Sequence, residues 1–506
     1  MIMERPFTTY AGALRNTLLS LGLAIAANSI SGQDIRLGVP TGLTVEQELA
    51  LSGRFTSASL VDIDVQALHV LVSTHDRTHV VDLRIGPARE LRLEIEQNEM
   101  RPFHYMAEET GPNGRVQLPR SPCITYRGRV AGKPESIVRL NIEADCVWGY
   151  VVEGGTMTFL EPLRELVPNT VSERLHVAYR ASDLLPRDIG SCGAAPLAEQ
   201  LPKQLDKGGP AGVAKAGNDC RKLEVATESD WEFYDDGETF SDIQGNLNMV
   251  EGIYYSQFNM RFLIVYQHQW TTSSDPYSSN ETGCAPSLGP GQLTEFRDHW
   301  SANFDHIRRD INVLYTEKEY TDASNIGCAY TGRFGNGTDN DADSYCVNEW
   351  IDDVFNPSHS AAGRMVLVAH EMGHVLGASH DDANCSGAAS IMCSTLNTNA
   401  TAFSGTSVTQ IESDLDYVST EENDGRTSIR YRYYPTNTQN PIIAPFAGTT
   451  TGNELVVDAA HSLLFGAGTL TYQATDTAFL RPGFHAIAQP SKVVHIKIGG
   501  CDVNGL

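Results

Sequence analysis

From residue 33 to about 190, apolar and polar side chains alternate in short runs such as "LHVLVST", "THVVDLRI", "LRLEIEQ" and "SIVRLNI". A strand turns successive side chains to opposite faces, so this period of two, broken by turn residues, predicts antiparallel β-structure. The alternation stops at residues 193–219, a Gly-, Ala-, Pro- and Lys-rich stretch with no periodicity. Such composition reads as an exposed linker open to proteolytic processing. Past residue 220 the pattern changes. "CRKLEVATESDWEFY" reads as a strand, "IQGNLNMVEGIYYSQF" has helical apolar spacing, and "MRFLIVYQHQW" is another strand. "GQLTEFRDHWSANFDHIRRDINVLYT" reads as a further helix, and "NIGCAYTGRF" and "SYCVNEW" as short strands. "AAGRMVLVAHEMGHVLG" is a helix that stops at Gly377, where glycine takes a left-handed cap at little cost. Alternating strands and helices predict an α/β domain over 220–435, and a small β-rich module follows at 436–506.

At 506 residues the chain has room for three or four units, and 41% hydrophobic with 20% charged residues suffices for packed cores. Of the formal net charge of −26, −23 lies after residue 216. That acidic half repels nucleic acid and anionic membrane surfaces, so neither is an expected partner. No later stretch has the length of a membrane span. Arg5 and Arg15 precede a short apolar run ending in small residues, the order of a secretory signal peptide over residues 1–32. A secreted, extracellular protein meets oxidising conditions, under which most of the ten cysteines can pair.

The candidate chemistry lies in "AHEMGHVLGASHD", residues 369–381. His370 and His374 are four apart on a predicted helix, so their rings share one face, at the spacing of two Zn²⁺ ligands. Glu371 adjoins the first ligand and can act as general base toward a metal-activated water. A catalytic zinc takes a third protein ligand and keeps one position open. Gly377 lets the chain reverse so that His380 returns to the metal. A continued helix would carry it to the opposite side. HExxH alone is a moderate signal; the extended HExxHxxGxxH is specific, and Met392 in "SIMCS" fits the Met-turn beneath such a site.

With Asp381 directly after the third histidine, these residues resemble the adamalysin/reprolysin branch of the metzincin zinc endopeptidases, as a secreted bacterial member with a propeptide. The resemblance extends over roughly 220–418, through "LTEFRDHW", "NIGCAYTG" and "FSGTSVTQIESDL". It implies a metzincin-type α/β domain with a five-stranded-type mixed sheet and an active-site helix, one catalytic Zn²⁺, and hydrolysis of internal peptide bonds in proteins. It also implies that Ile326, Gly327, Cys328 and Ala329 bind extended substrate by strand addition. Residues 123–151 and "LEPL" resemble the family's propeptide, with Cys123 and Cys146 a natural pair, and Cys192 in "GSCGAAP" resembles its cysteine switch. The propeptide, 33–192, is then an intramolecular inhibitor. A thiolate in the open zinc position gives latency a physical basis. An ordinary disulfide is the other reading of Cys192. Cys385–Cys393 and Cys328–Cys346 are candidate local disulfides, although spacing does not fix the pairing. The tail resembles a β module of secreted Bacteroidota-type proteins.

Asp339, Asp341 and Asp343 are spaced like the start of a Ca²⁺ loop, but the loop's glycine and bidentate glutamate are missing. A solvated acidic turn is the simpler reading, with calcium the alternative. Two other functions stay open at this point: a non-catalytic zinc-containing adhesion module, and a zinc hydrolase of non-peptide substrates.

Overall fold

The computed structural model describes residues 51–74, 78–85, 89–102, 105–167, 172–185, 190–193, 221–277, 291–307, 309–318, 325–331, 344–350, 360–385 and 390–420, together with isolated strands at either end. In the N-terminal region the strands are Arg36–Leu37 (β1), Val39–Pro40 (β2), Ser59–Asp62 (β3), Thr78–Arg84 (β4), Glu90–Gln97 (β5), Met106–Gly111 (β6), Gly114–Leu118 (β7), Thr125–Val130 (β8), Lys133–Ile142 (β9), Val147–Glu153 (β10), Thr156–Pro162 (β11), Leu175–Arg180 (β12) and Ser191–Cys192 (β13). Ten of them form one sheet, in the order β1-β4-β5-β8-β9-β10-β11-β12-β3-β2. Every neighbouring pair in it is antiparallel except β1 with β4. One run departs from expectation. "LHVLVST" belongs to a helix, Val65–Val72 (α1), which Asp64 caps by accepting from Ala67 N at 3.0 Å. Val65, Leu68 and Val72 are its buried residues, a spacing of three and four that belongs to a helix stripe.

The second sheet has eight strands, β13-β17-β18-β16-β14-β15-β6-β7, with Arg221–Ser229 (β14), Met260–Trp270 (β15), Ile311–Thr316 (β16), Asn325–Ala329 (β17) and Tyr345–Glu349 (β18). Five strands from 221–349 form its continuous middle, as expected. Among these, β17 alone runs against its neighbour, β18. The sheet does not end there. The hairpin β6–β7 adds to the free side of β15 in parallel, and two residues of β13 add to β17. Residues 291–316 are also not one helix. The helix closes at Asn303, and 311–316, "INVLYT", is a fully buried strand. β-branched and aromatic residues favour that outcome over a helix.

After α1 the helices are Leu163–Leu166 (α2), Trp231–Asp235 (α3), Phe240–Phe258 (α4), Gln292–Asn303 (α5), Ala361–Val375 (α6) and Gly405–Thr420 (α7). From Ile243 to Tyr254 every residue of α4 is buried. A helix lying on one layer keeps a wet face; α4 has none, because it is packed between β15 and strands β8, β9 and β10. One apolar core accordingly joins Tyr150, Phe159 and Tyr179 to Ile253, Val366 and Met372. Beyond residue 432, described strands alternate between two all-parallel sheets. Among the described residues no helix is long and apolar enough to cross a membrane.

Candidate metal centre

Helix α6 begins at Ser360, whose hydroxyl accepts from Gly363 N at 3.2 Å, and it is buried on nearly every face. It stops because Gly377 takes φ 97°, and a Cβ there would also land in the Asp414 carboxylate. The reversal returns His380 toward the two helical histidines, and His374 Nε2 and His370 Nε2 lie 3.0 Å apart. The other nitrogens are committed: His370 Nδ1 is 2.6 Å from Ile391 O, and His374 Nδ1 is 2.7 Å from Ala378 O. A carbonyl only accepts, so each Nδ1 carries the hydrogen and each neutral ring presents a lone pair at Nε2. Two lone pairs at 3.0 Å repel unless a cation lies between them. A proton does not fill that role well. Burial pushes the His370 pKa down to about 3 and drives that of His374 well below its ordinary value. Burial lowers the pKa of His380 too, and its buried Nε2 has no hydrogen-bond partner.

Cys192 brings the fourth donor. One atom from each of Cys192, His370, His374 and His380 lies within 4.8 Å of the others. Three imidazoles and one thiol are a donor set that suits Zn²⁺. Cys192 Sγ also donates to Glu371 Oε2 at 3.4 Å, while Glu371 Oε1 is buried with no hydrogen bond. Burial pushes the Glu371 carboxyl up to about 8 although the Cys192 contact opposes the shift, so the site holds a proton acceptor of near-neutral strength.

Backbone bonds on two sides hold the segment that carries Cys192. On one side Gly193 N donates to Gly327 O of β17 at 2.8 Å, and Ser191 Oγ donates to Asn325 Oδ1 at 3.1 Å. On the other, Cys192 N donates to Ser394 O at 3.1 Å and Leu396 N to Gly190 O at 3.2 Å. Residues 190–193 thus lie as an extended strand across the metal centre.

Residues 216–404 match the family model of reprolysin-type members of Metallo-peptidase family M12. This segment belongs to the M12 metallopeptidases. The M12 family is zinc-dependent, which agrees with the donor set. A solved structure, metalloproteinase-II from Bacteroides fragilis, is similar at 12% identity and TM-score 0.42, over 69% of this chain and 94% of that one. Among curated proteins none matches the chain.

The M12 segment contains the three histidines and Glu371; Cys192 precedes it. Met392 and Asp381 lie close beside the histidine cluster. Met392 is fully buried, with Sδ 2.7 Å from where a Cβ on Gly373 would stand. Asp381 N donates to Met392 O at 2.8 Å, and the Asp381 carboxylate accepts from Asn384, Ser404 and Ser407. Asp381 thereby ties the Met-turn to the start of α7. Of the β17 residues, Gly327 reaches the centre: a Cβ there would stand 2.6 Å from Glu371 Oε1 and 2.8 Å from Leu367 Cδ1. Ile326, Cys328 and Ala329 are buried along the same strand.

Cys385–Cys393 is a disulfide, but two expected pairs are absent. Cys123, Cys146 and Cys346 carry thiols, and Cys328 is disulfide-bonded to a residue outside those described. Cys328 and Cys346 sit on adjacent strands, each fully buried, yet they do not face one another in register, because Cys328 opposes Val347. Asp339, Asp341 and Asp343, the signal-peptide segment 1–32 and the linker past Gly193 lie outside the described residues. Sequence reasoning missed Ser394–Leu396 as the second wall around residues 190–193. Its only signal was its place directly after the Met-turn.

Proposed function

We propose that the chain is a secreted zinc endopeptidase made latent, with residues His370, His374 and His380 holding the metal and Cys192 closing the site. The observation that carries this reading is the pair of hydrogen-free Nε2 atoms 3.0 Å apart with Cys192 Sγ converging on them. Zinc bound there supplies a Lewis acid for the scissile carbonyl and lowers the pKa of water. Glu371, aimed at the same space, takes the proton from the attacking water and delivers it to the leaving amine. An extended substrate pairs with β17 through backbone groups, as residues 191–193 do in the latent chain. While the thiol occupies the fourth donor position, substrate and water are both excluded. Secretion rests on the signal-peptide pattern at residues 1–32.

The test is protein digestion by the processed form of Glu371→Ala. A loss of at least about 100-fold is expected for removal of the proton-transfer group, and unchanged casein digestion would overturn the mechanism. For latency, the intact Cys192→Ala chain should digest casein faster than the intact wild type. Equal rates would remove Cys192 from the inhibition.

A further inference from the structure

We propose that residues 51–185 are a permanent partner of the M12 segment, so that cutting the linker frees only the 190–193 strand and leaves a two-chain enzyme. This rests on the latent-protease reading and alters what activation releases. Its basis is the depth of the interface. Arg139 and Arg261 both donate to Glu251 Oε1, at 3.2 and 2.7 Å, with all three side chains buried. Asn248 Nδ2 reaches Tyr126 O, Leu140 O and Asn141 Oδ1 at 3.3, 3.1 and 2.9 Å, and Asn98 Nδ2 reaches Asn248 Oδ1 at 2.9 Å. Taking the N-terminal region away would strip one charge partner from Glu251 and every one of these partners from Asn248.

Three further observations point the same way. Two glycines on α4 exist as seats for N-terminal side chains: a Cβ on Gly245 would fall in the Trp148 ring, and one on Gly252 would fall on the Tyr150 hydroxyl. The backbone N–H of Ala361, the first residue of the helix that carries His370 and His374, donates to Glu161 Oε2 of β11 at 2.9 Å. A carboxylate is well placed at a helix N-terminus, and here it comes from the other region. Finally, β6 pairs with β15 over five residues, Met106 to Thr110 against Tyr266 to Trp270, so departure would bare a long sheet edge together with one side of a shared apolar core. By contrast, residues 190–193 pair with β17 and with Ser394–Leu396 through backbone bonds, through the Ser191–Asn325 side-chain bond and through the Cys192 thiol, and among the described residues they bury no counterpart of the Glu251 cluster or of the shared apolar core.

Hydrolysis of one linker peptide bond adds a water and yields a carboxylate on one fragment and an amine on the other. The experiment inserts a site for a sequence-specific protease between Gly208 and Gly209 of the full chain. Once a denaturing gel shows complete cleavage, native size-exclusion chromatography and casein digestion are measured together. The expected result is one peak holding both fragments in equal amounts, with casein activity above that of the uncut chain. Two separate peaks, active or not, overturn the proposal. A single peak without gain of activity supports the permanent partnership and counts against the latency reading, so the two can fail separately. Repeating the run with Arg139→Ala, which removes one guanidinium from Glu251, should raise the fraction of separated fragments at least tenfold at low micromolar concentration. No change would show that the buried charge cluster does not hold the two together.

Discussion

Gly252→Ala separates two opposing effects at one atom. In a helix interior, alanine is better than glycine by up to about 1 kcal/mol, so α4 taken alone favours the change. In the folded chain the new methyl collides with the Tyr150 hydroxyl and stands 2.9 Å from Arg139 Cγ. Tyr150 is fully buried and its hydroxyl donates to Met249 O at 3.0 Å, so the ring has no open direction in which to retreat. Overpacking of this kind costs about 1–3 kcal/mol, and loss of the hydrogen bond costs about 1 kcal/mol more. The collision wins, with a net destabilisation of about 1–3 kcal/mol. In thermal unfolding of the intact chain this corresponds to a fall in Tm of about 1–4 °C, because the entropy of unfolding grows with chain length. Gly405→Ala is the control, since that glycine opens α7 with no atom within 4 Å of the new Cβ; it should leave Tm unchanged or raise it. On a Tyr150→Phe background, which removes the colliding oxygen, most of the Gly252→Ala penalty should vanish as a coupling between the two sites. If Gly252→Ala raises Tm as the control does, the close seating of β10 on α4 is wrong.

Glu251 gives a pH signature. Burial alone would raise its pKa, but Arg261 and Arg139 outweigh burial and hold it below 4.5. A depressed carboxyl stabilises the fold above its unfolded pKa, and that stability is lost as pH falls through the folded value. Glu251→Gln should therefore flatten the loss of stability below about pH 4.5 in denaturant titrations; an unaltered pH profile would assign the acid sensitivity elsewhere. Gly327→Ala forces a methyl against Glu371 Oε1 and Leu367 Cδ1, and the processed enzyme should lose at least about 10-fold in kcat/KM through displacement of Glu371. Wild-type kinetics would show that β17 yields freely. Adding Zn²⁺ to chelator-treated protein at 100 times its Kd should stabilise the fold by about 2.7 kcal/mol, read as a rise in Tm. His380→Ala should lose most of that rise, and an undiminished rise would remove His380 from the ligand set.

The clustering of the three histidines was legible because its determinants are local. Two ligands share a helix turn, Gly377 supplies the break at φ 97°, and His380 needs only six residues to return. Misreadings came where short apolar runs fit two periods. "LHVLVST" satisfies alternation and a helix stripe, and "INVLYT" trails a helix without a clear stop. The least legible feature is α4. Gln244, Asn246, Asn248 and Glu251 would ordinarily mark a wet face, yet all are buried. Those of their partners that lie in residues 98–141 sit more than a hundred positions upstream, beyond any local pattern. Cys123 and Cys146 were expected to pair on the resemblance of their segment to the propeptide, but a resemblance of sequence does not bring two thiols within bonding geometry.

The unequal cover on the two rims of the eight-stranded sheet has a consequence for the life of the newly made chain. A bare strand is a template on which any other extended chain can add, its own copies included. On the β15 side the hairpin β6–β7 covers the edge, while on the β17 side the pairing among the described residues is that of Ser191 and Cys192. Ser191 and Cys192 therefore cover backbone groups of β17 that would otherwise be open to pairing with a second copy of the chain.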